Sequence, residues 1–159
     1  MPKLQVKICG VKTKEAVDAA VRGGAAYIGL NFYPPSPRYV SPEAAAQLAL
    51  LLPARVKAVA VLVDPTDELL EQIFSRFRPA LLQLHGHEPP ARVAELKARY
   101  NVPVIKALPI STEVDFDAVN DYAPVADYFL FEGRPPKGAT LPGGNASSFD
   151  WKLMNTRAI

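Results

Sequence analysis

Residues 4–31 read LQVKICGVKTKEAVDAAVRGGAAYIGLN, and this stretch decides the fold. Its two ends, Leu4-Gln5-Val6-Lys7-Ile8-Cys9 and Ala25-Ala26-Tyr27-Ile28-Gly29-Leu30-Asn31, are short apolar runs of the kind that form buried strands of a parallel sheet. Between them Thr13 can cap a helix that carries Ala16, Val17, Ala20 and Val21 on one face and stops at Gly23-Gly24. Strand, helix and strand make one βαβ unit.

The alternation continues along the chain. Strand-like runs recur at Val56 to Val63, Ala80 to Leu84, Val102 to Ala107 and Asp127 to Glu132. Ser41-Pro42-Glu43 supplies an N-cap followed by proline at the first helical position, and that helix stops near Pro53. Thr66 precedes Leu69, Leu70, Ile73, Phe74 and Phe77 at helical spacing, and further helices run from about Pro90 to Tyr100 and from about Thr112 to Tyr122. Six strands linked by crossover helices imply a parallel sheet with right-handed connections. No Gly-x-Gly-x-x-Gly follows the first strand, which counts against a dinucleotide-binding fold. Periodicity leaves a barrel and an open flavodoxin-like sheet both standing.

The 159 residues suffice for one domain with one core. The net charge of +2 is spread along the chain and forms no basic stripe, so no nucleic-acid partner is expected. No run approaches the ~18 apolar residues of a membrane span, and the N-terminus carries no signal-like segment. The sequence reads as cytoplasmic, with no membrane partner. Its single cysteine, Cys9, excludes an internal disulfide.

Cys9 ends the first strand just before Gly10, at the end of the sheet where parallel α/β proteins build active sites. Alternation puts Gln5, Lys7 and Cys9 on one face, and Leu4, Val6 and Ile8 on the face expected to meet helices. The Lys7 ammonium would favour a thiolate there. Arg38 lies in Phe32-Tyr33-Pro34-Pro35-Ser36-Pro37-Arg38-Tyr39, where three prolines stiffen the loop and hold a guanidinium suited to a planar carboxylate. Glu132 ends the sixth strand, where a carboxyl group partly withdrawn from water can serve as a general acid. Gln83, His85 and Lys106, also at or near strand ends, read as satisfied polar residues, and His87 has no assigned role. The long segment 133–148, with Arg134-Pro135-Pro136-Lys137-Gly138 and Leu141-Pro142-Gly143-Gly144-Asn145, has the length of a functional loop.

Taken together the motifs are more specific than any is alone. Lys7-Ile8-Cys9-Gly10, Gly29-Leu30-Asn31-Phe32 running into Ser36-Pro37-Arg38, Gln83-Leu84-His85-Gly86, Ile105-Lys106-Ala107, Phe129-Leu130-Phe131-Glu132, Leu141-Pro142-Gly143-Gly144 and Phe149-Asp150-Trp151 follow one another across nearly the whole chain. In order and spacing they resemble the phosphoribosylanthranilate isomerases of tryptophan biosynthesis. The resemblance implies a TIM (β/α)8 barrel, of which residues 1–159 would form a single, incomplete, three-quarter barrel domain: about (βα)5β6 plus the start of helix 6.

It further implies an Amadori rearrangement of a small phosphorylated substrate, N-(5-phosphoribosyl)anthranilate, with no metal or organic cofactor. By resemblance Cys9 is the general base, Glu132 the general acid and Arg38 the clamp on the anthranilate carboxylate. The family usually carries aspartate where this chain has Glu132, which moves the proton donor by about 1.5 Å, one methylene. Two further βα units, whose loops bind the substrate phosphate in the family, would follow strand 6; typical barrels run to about 250 residues. Without them strands 1 and 6 are sheet edges, which Lys3, Gln5 and Lys7 could blunt and Tyr27 could cover, and the chain is either a monomer or self-associates through an edge. The competing reading is a catalytically inactive barrel fragment. A third, another phosphate-handling barrel such as a pentose-phosphate epimerase, lacks the expected metal-ligand histidines.

Overall fold

The computed structural model describes residues 4–141, 143–144 and 150–155. Lys3, Pro142, Asn145 and Phe149, named above, lie outside them. The strands are β1 (Lys7–Cys9), β2 (Tyr27–Asn31), β3 (Lys57–Leu62), β4 (Leu81–Leu84), β5 (Val104–Ile110) and β6 (Tyr128–Gly133). Between successive strands lie α1 (Lys14–Arg22), α2 (Pro42–Ala49), α3 (Asp67–Phe74), α4 (Pro90–Tyr100) and α5 (Ala118–Tyr122). The sheet order is β1-β2-β3-β4-β5-β6, the order of the chain itself. A doubly wound sheet doubles back on its first strand; an unbroken sequential order is that of a (β/α) barrel. This settles the alternative that periodicity left standing, in favour of an incomplete TIM barrel.

The chain divides after Gln83 into two compact units. In the first, β1 pairs with β2 in parallel register from Lys7↔Tyr27 to Cys9↔Gly29, and β2 with β3 from Tyr27↔Lys57 to Asn31↔Val61. Thr13, Ser41 and Thr66 cap α1, α2 and α3, each accepting from the amide three residues on, of Ala16, Ala44 and Leu69. Val17, Ile28, Leu30, Val59, Leu62, Leu70 and Ile73 are fully buried, so the helix faces read from the sequence are the faces turned inward. Helix α3 ends before Ser75 and leaves Phe77 outside it, where the ring stacks on Phe32 at 6.3 Å between centroids.

Strand β1 departs from expectation. Leu4, Val6 and Ile8 were expected to face helices, but they are 87, 45 and 42 % exposed. Alternation fixes which residues share a face, not how fully anything covers it, and among the described residues this face is left partly open. The Tyr27 hydroxyl donates to the side chain of Gln5, just before this strand, at 3.0 Å.

In the second unit β5 pairs with β6 in parallel from Ile105↔Tyr128 to Ile110↔Gly133. Strand β5 starts at Val104 rather than Val102 and runs on through Pro109 to Ile110. The helix expected over Thr112 to Tyr122 is divided into a 3-10 turn at Glu113–Asp117 and the short α5. Asp115 caps the start of the 3-10 turn. Its carboxylate accepts from the amides of Ser111 and Thr112 at 2.7 and 2.8 Å, a reciprocal cap that tightens the first turn. Leu108, Ile110 and Phe116 form the core here, with Phe129, Phe131, Leu153 and Met154 packed on it. Helix 6 was expected to open at Phe149 to Met154; among the described residues there, Trp151–Asn155 is a 3-10 turn.

Candidate active site

The functional candidates fall at the carboxyl ends of strands in each unit. In the first, Cys9 is the last residue of β1 and is exposed. Its register partner is Gly29, and the reason for glycine there is spatial: a Cβ on Gly29 would lie 2.9 Å from the Cys9 sulfur. The thiol therefore rests on bare β2 backbone. Gly10 follows with φ of +78°, turns the chain away from the strand, and donates its amide to the Gly29 carbonyl at 2.9 Å. A Cβ on Gly10 would collide with Cδ of Arg38. The stem of Arg38 thus crosses the residue next to Cys9.

The β2–α2 loop holds Arg38 in that position. The Asn31 side chain accepts from the Tyr33 amide at 2.8 Å and donates to the Ser36 hydroxyl at 3.4 Å. That hydroxyl accepts from the Arg38 amide at 3.2 Å. Asn31 and Ser36 are buried, so these bonds are shielded from competing water. Lys12 donates to the Pro37 carbonyl at 2.9 Å and ties the loop to the segment after β1. Among the described residues the Arg38 guanidinium makes no ion pair, which leaves its fork available for a carboxylate.

In the second unit Glu132 lies near the end of β6, and its Oε1 is 2.5 Å from Nε2 of His85, the residue after β4. The two side chains are 24 and 14 % exposed. The backbone at Gly143 is stacked on the pair, since a Cβ there would strike His85 Nε2 and come within 2.6 Å of the Glu132 carboxylate.

The loop carrying His85 is fastened from below. Lys106 and Glu88 are each 2 % exposed and pair at 2.8 Å. Lys106 also donates to the carbonyls of Gly86 and Leu84, at 2.7 and 3.4 Å, and Glu88 accepts from the Gly86 amide at 3.0 Å. Both backbone neighbours of His85 are thus held by one buried ion pair. Tyr122 closes it, donating to the Glu88 carbonyl at 2.9 Å with its ring 5.5 Å from the Lys106 ammonium. Burial, followed by the negative charges of Glu88 and Asp121, pushes the Tyr122 hydroxyl above its ordinary 10.0. Lys106 is therefore the satisfied structural residue that its sequence position suggested.

Nearby, Arg134 after β6 pairs with Asp115. Burial pushes the Asp115 carboxyl up, but the amides of Thr112 and Ser111 and the Arg134 charge outweigh it and hold it below its ordinary value.

The family model for N-(5'phosphoribosyl)anthranilate (PRA) isomerase matches residues 6–158. The chain belongs to that family. It is 54 % identical over 151 residues to the N-(5'-phosphoribosyl)anthranilate isomerase of Brucella canis, an alignment that takes in 95 % of this chain and 68 % of the relative. The crystal structure of the Thermotoga maritima enzyme superposes with a TM-score of 0.81 at 33 % identity, covering 96 % of this chain and 70 % of that one. Another isomerase of the family, solved in complex with reduced 1-(o-carboxyphenylamino)-1-deoxyribulose 5-phosphate, superposes with a TM-score of 0.70 at 30 % identity, over 82 % of this chain and 76 % of that one. Membership identifies the protein as an isomerase of tryptophan biosynthesis with the TIM-barrel architecture. Among the described residues no helix is long and apolar enough to cross a membrane.

Proposed function

We propose that the chain, acting as one partial barrel domain in the cytoplasm, converts N-(5-phosphoribosyl)anthranilate to the corresponding 1-deoxyribulose 5-phosphate. The Arg38 guanidinium grips the anthranilate carboxylate through two parallel hydrogen bonds. Glu132 passes its proton to the ribose ring oxygen, the ring C–O bond breaks, and the nitrogen lone pair forms the Schiff base. The Cys9 thiolate then removes the C2 proton, and the enolamine relaxes to the ketone. The observation that carries this reading is the Arg38 stem lying against Gly10, the residue after Cys9, at the carboxyl end of β1, which suits a base working near a carboxylate clamp. The partner is this small phosphorylated molecule, and the chain is a monomer or associates with itself through a sheet edge.

The test is turnover of freshly prepared phosphoribosylanthranilate, followed by loss of its fluorescence. We expect activity in the unmodified chain, its abolition by Cys9→Ala, and a KM increase without a matching kcat loss in Arg38→Ala. Turnover that survives Cys9→Ala would refute the assignment of the base. A folded chain with no turnover would refute the reaction.

A further inference from the structure

We infer that His85 is the positioning residue for the Glu132 proton donor. This rests on the reaction proposed above and adds a residue to it. The carboxyl group of a glutamate turns about several single bonds, and the extra methylene that distinguishes Glu132 from the family's aspartate adds one more. An acid with that freedom is a poor catalyst unless something fixes it, because a displacement near 1 Å can cost on the order of 100-fold in rate.

His85 supplies the fixation. Its Nε2 lies 2.5 Å from Oε1 of Glu132, and the tautomer with hydrogen on Nε2 donates to that oxygen, leaving Oε2 to carry the acidic proton toward the ring oxygen. As that proton departs, negative charge develops on the carboxylate and the same hydrogen bond becomes charge-assisted. His85 thus aids the transition state more than the ground state. Two features equip it for this. The Lys106–Glu88 pair holds Leu84 and Gly86 on either side of it, and the Gly143 backbone covers the contact, keeping water from competing for Oε1.

The experiment is a double-mutant cycle combined with histidine nitrogen NMR. His85→Ala should lower kcat on the order of 100-fold with KM little changed. His85→Gln, whose amide can donate to Oε1, should restore most of that loss. In a Glu132→Gln background, His85→Ala should have no further effect, since there is no acid left to position. Equal losses in both backgrounds, or a Gln variant no better than Ala, would overturn the inference. The second arm needs no turnover. The His85 ring nitrogen signals should move on Glu132→Gln while those of His87, the other of the two histidines, stay in place. Unmoved His85 signals would overturn the inference, whereas moved signals in an inactive chain would sustain the contact and defeat only the proposed reaction.

Discussion

Replacing Lys106 by methionine should be among the most damaging single changes away from the hydrophobic core. Methionine matches the lysine stem in length, so packing changes little and the loss is electrostatic. Lys106 and Glu88 are each 2 % exposed, so the substitution leaves a buried carboxylate without its 2.8 Å partner. Removing one member of a buried pair costs about 3–5 kcal/mol. The Gly86 carbonyl also loses its 2.7 Å donor, whereas the 3.4 Å bond to Leu84 is long enough to add little. Against a total stability of about 5–15 kcal/mol, this is about a fifth of the whole or more. With a urea dependence of about 2 kcal/mol per molar, the unfolding midpoint should fall by about 2 M.

Urea titrations followed by circular dichroism would read this directly, with Lys14→Met as control. Lys14 pairs with Asp18 at 2.6 Å, but the side chains are 62 and 40 % exposed, and its removal should leave the midpoint in place. The companion variant Lys106→Met/Glu88→Gln removes the stranded charge and should recover at least half of the lost midpoint. A Lys106→Met midpoint equal to that of the unmodified chain would refute the reasoning, as would a double variant no more stable than the single one. Either result would mean that the pair is not the fastening of the β4–α4 connection.

Gly10→Ala meets both a φ of +78° and the Arg38 stem, so it should cost about 1–2 kcal/mol in unfolding and raise KM by displacing the carboxylate clamp; calorimetry and steady-state kinetics check the two effects separately. Gly29→Ala would force the Cys9 sulfur off its 2.9 Å seat and should lower kcat by about tenfold or more, with KM nearly unchanged. Asp115 has its carboxyl held below the ordinary 3.8 in the folded chain, so its contribution is fully present above 3.8 and is lost as pH falls through the lower folded value. The stability gap between the unmodified chain and Asp115→Asn should therefore be widest near neutral pH and close below 3.8, as urea midpoints across that range would show.

Much of the fold was legible because its signals are local. Thr13, Ser41 and Thr66 cap helices because a hydroxyl before an apolar period is a near-neighbour event, and each does so here. Local reading failed where distant partners decide. The strand read as ending at Ala107, yet pairing with β6 from Ile105 to Ile110 carries β5 on through Pro109, which lacks the amide a strand ladder uses. The partly open face of β1 is a similar case, since alternation gives sidedness but not the extent of cover. At the candidate site, Cys9, Arg38 and Glu132 were each visible as strand-end or loop residues. The contact of His85 with Glu132 was not, because 47 residues separate them and no spacing rule joins a residue after β4 to one in β6. For Lys106 the sequence suggested a satisfied polar residue but not its partners, which are buried acceptors distant in the chain.

The exposure of Cys9 has a practical side. It is the chain's single thiol, and it lies open to solvent at the position assigned to the base. A maleimide or iodoacetamide reagent would therefore modify one atom of one residue, with unit stoichiometry and no competing site. The same chemistry sets a handling requirement: stored without reductant, two chains can join through this sulfur, and each disulfide so formed would silence two molecules at once.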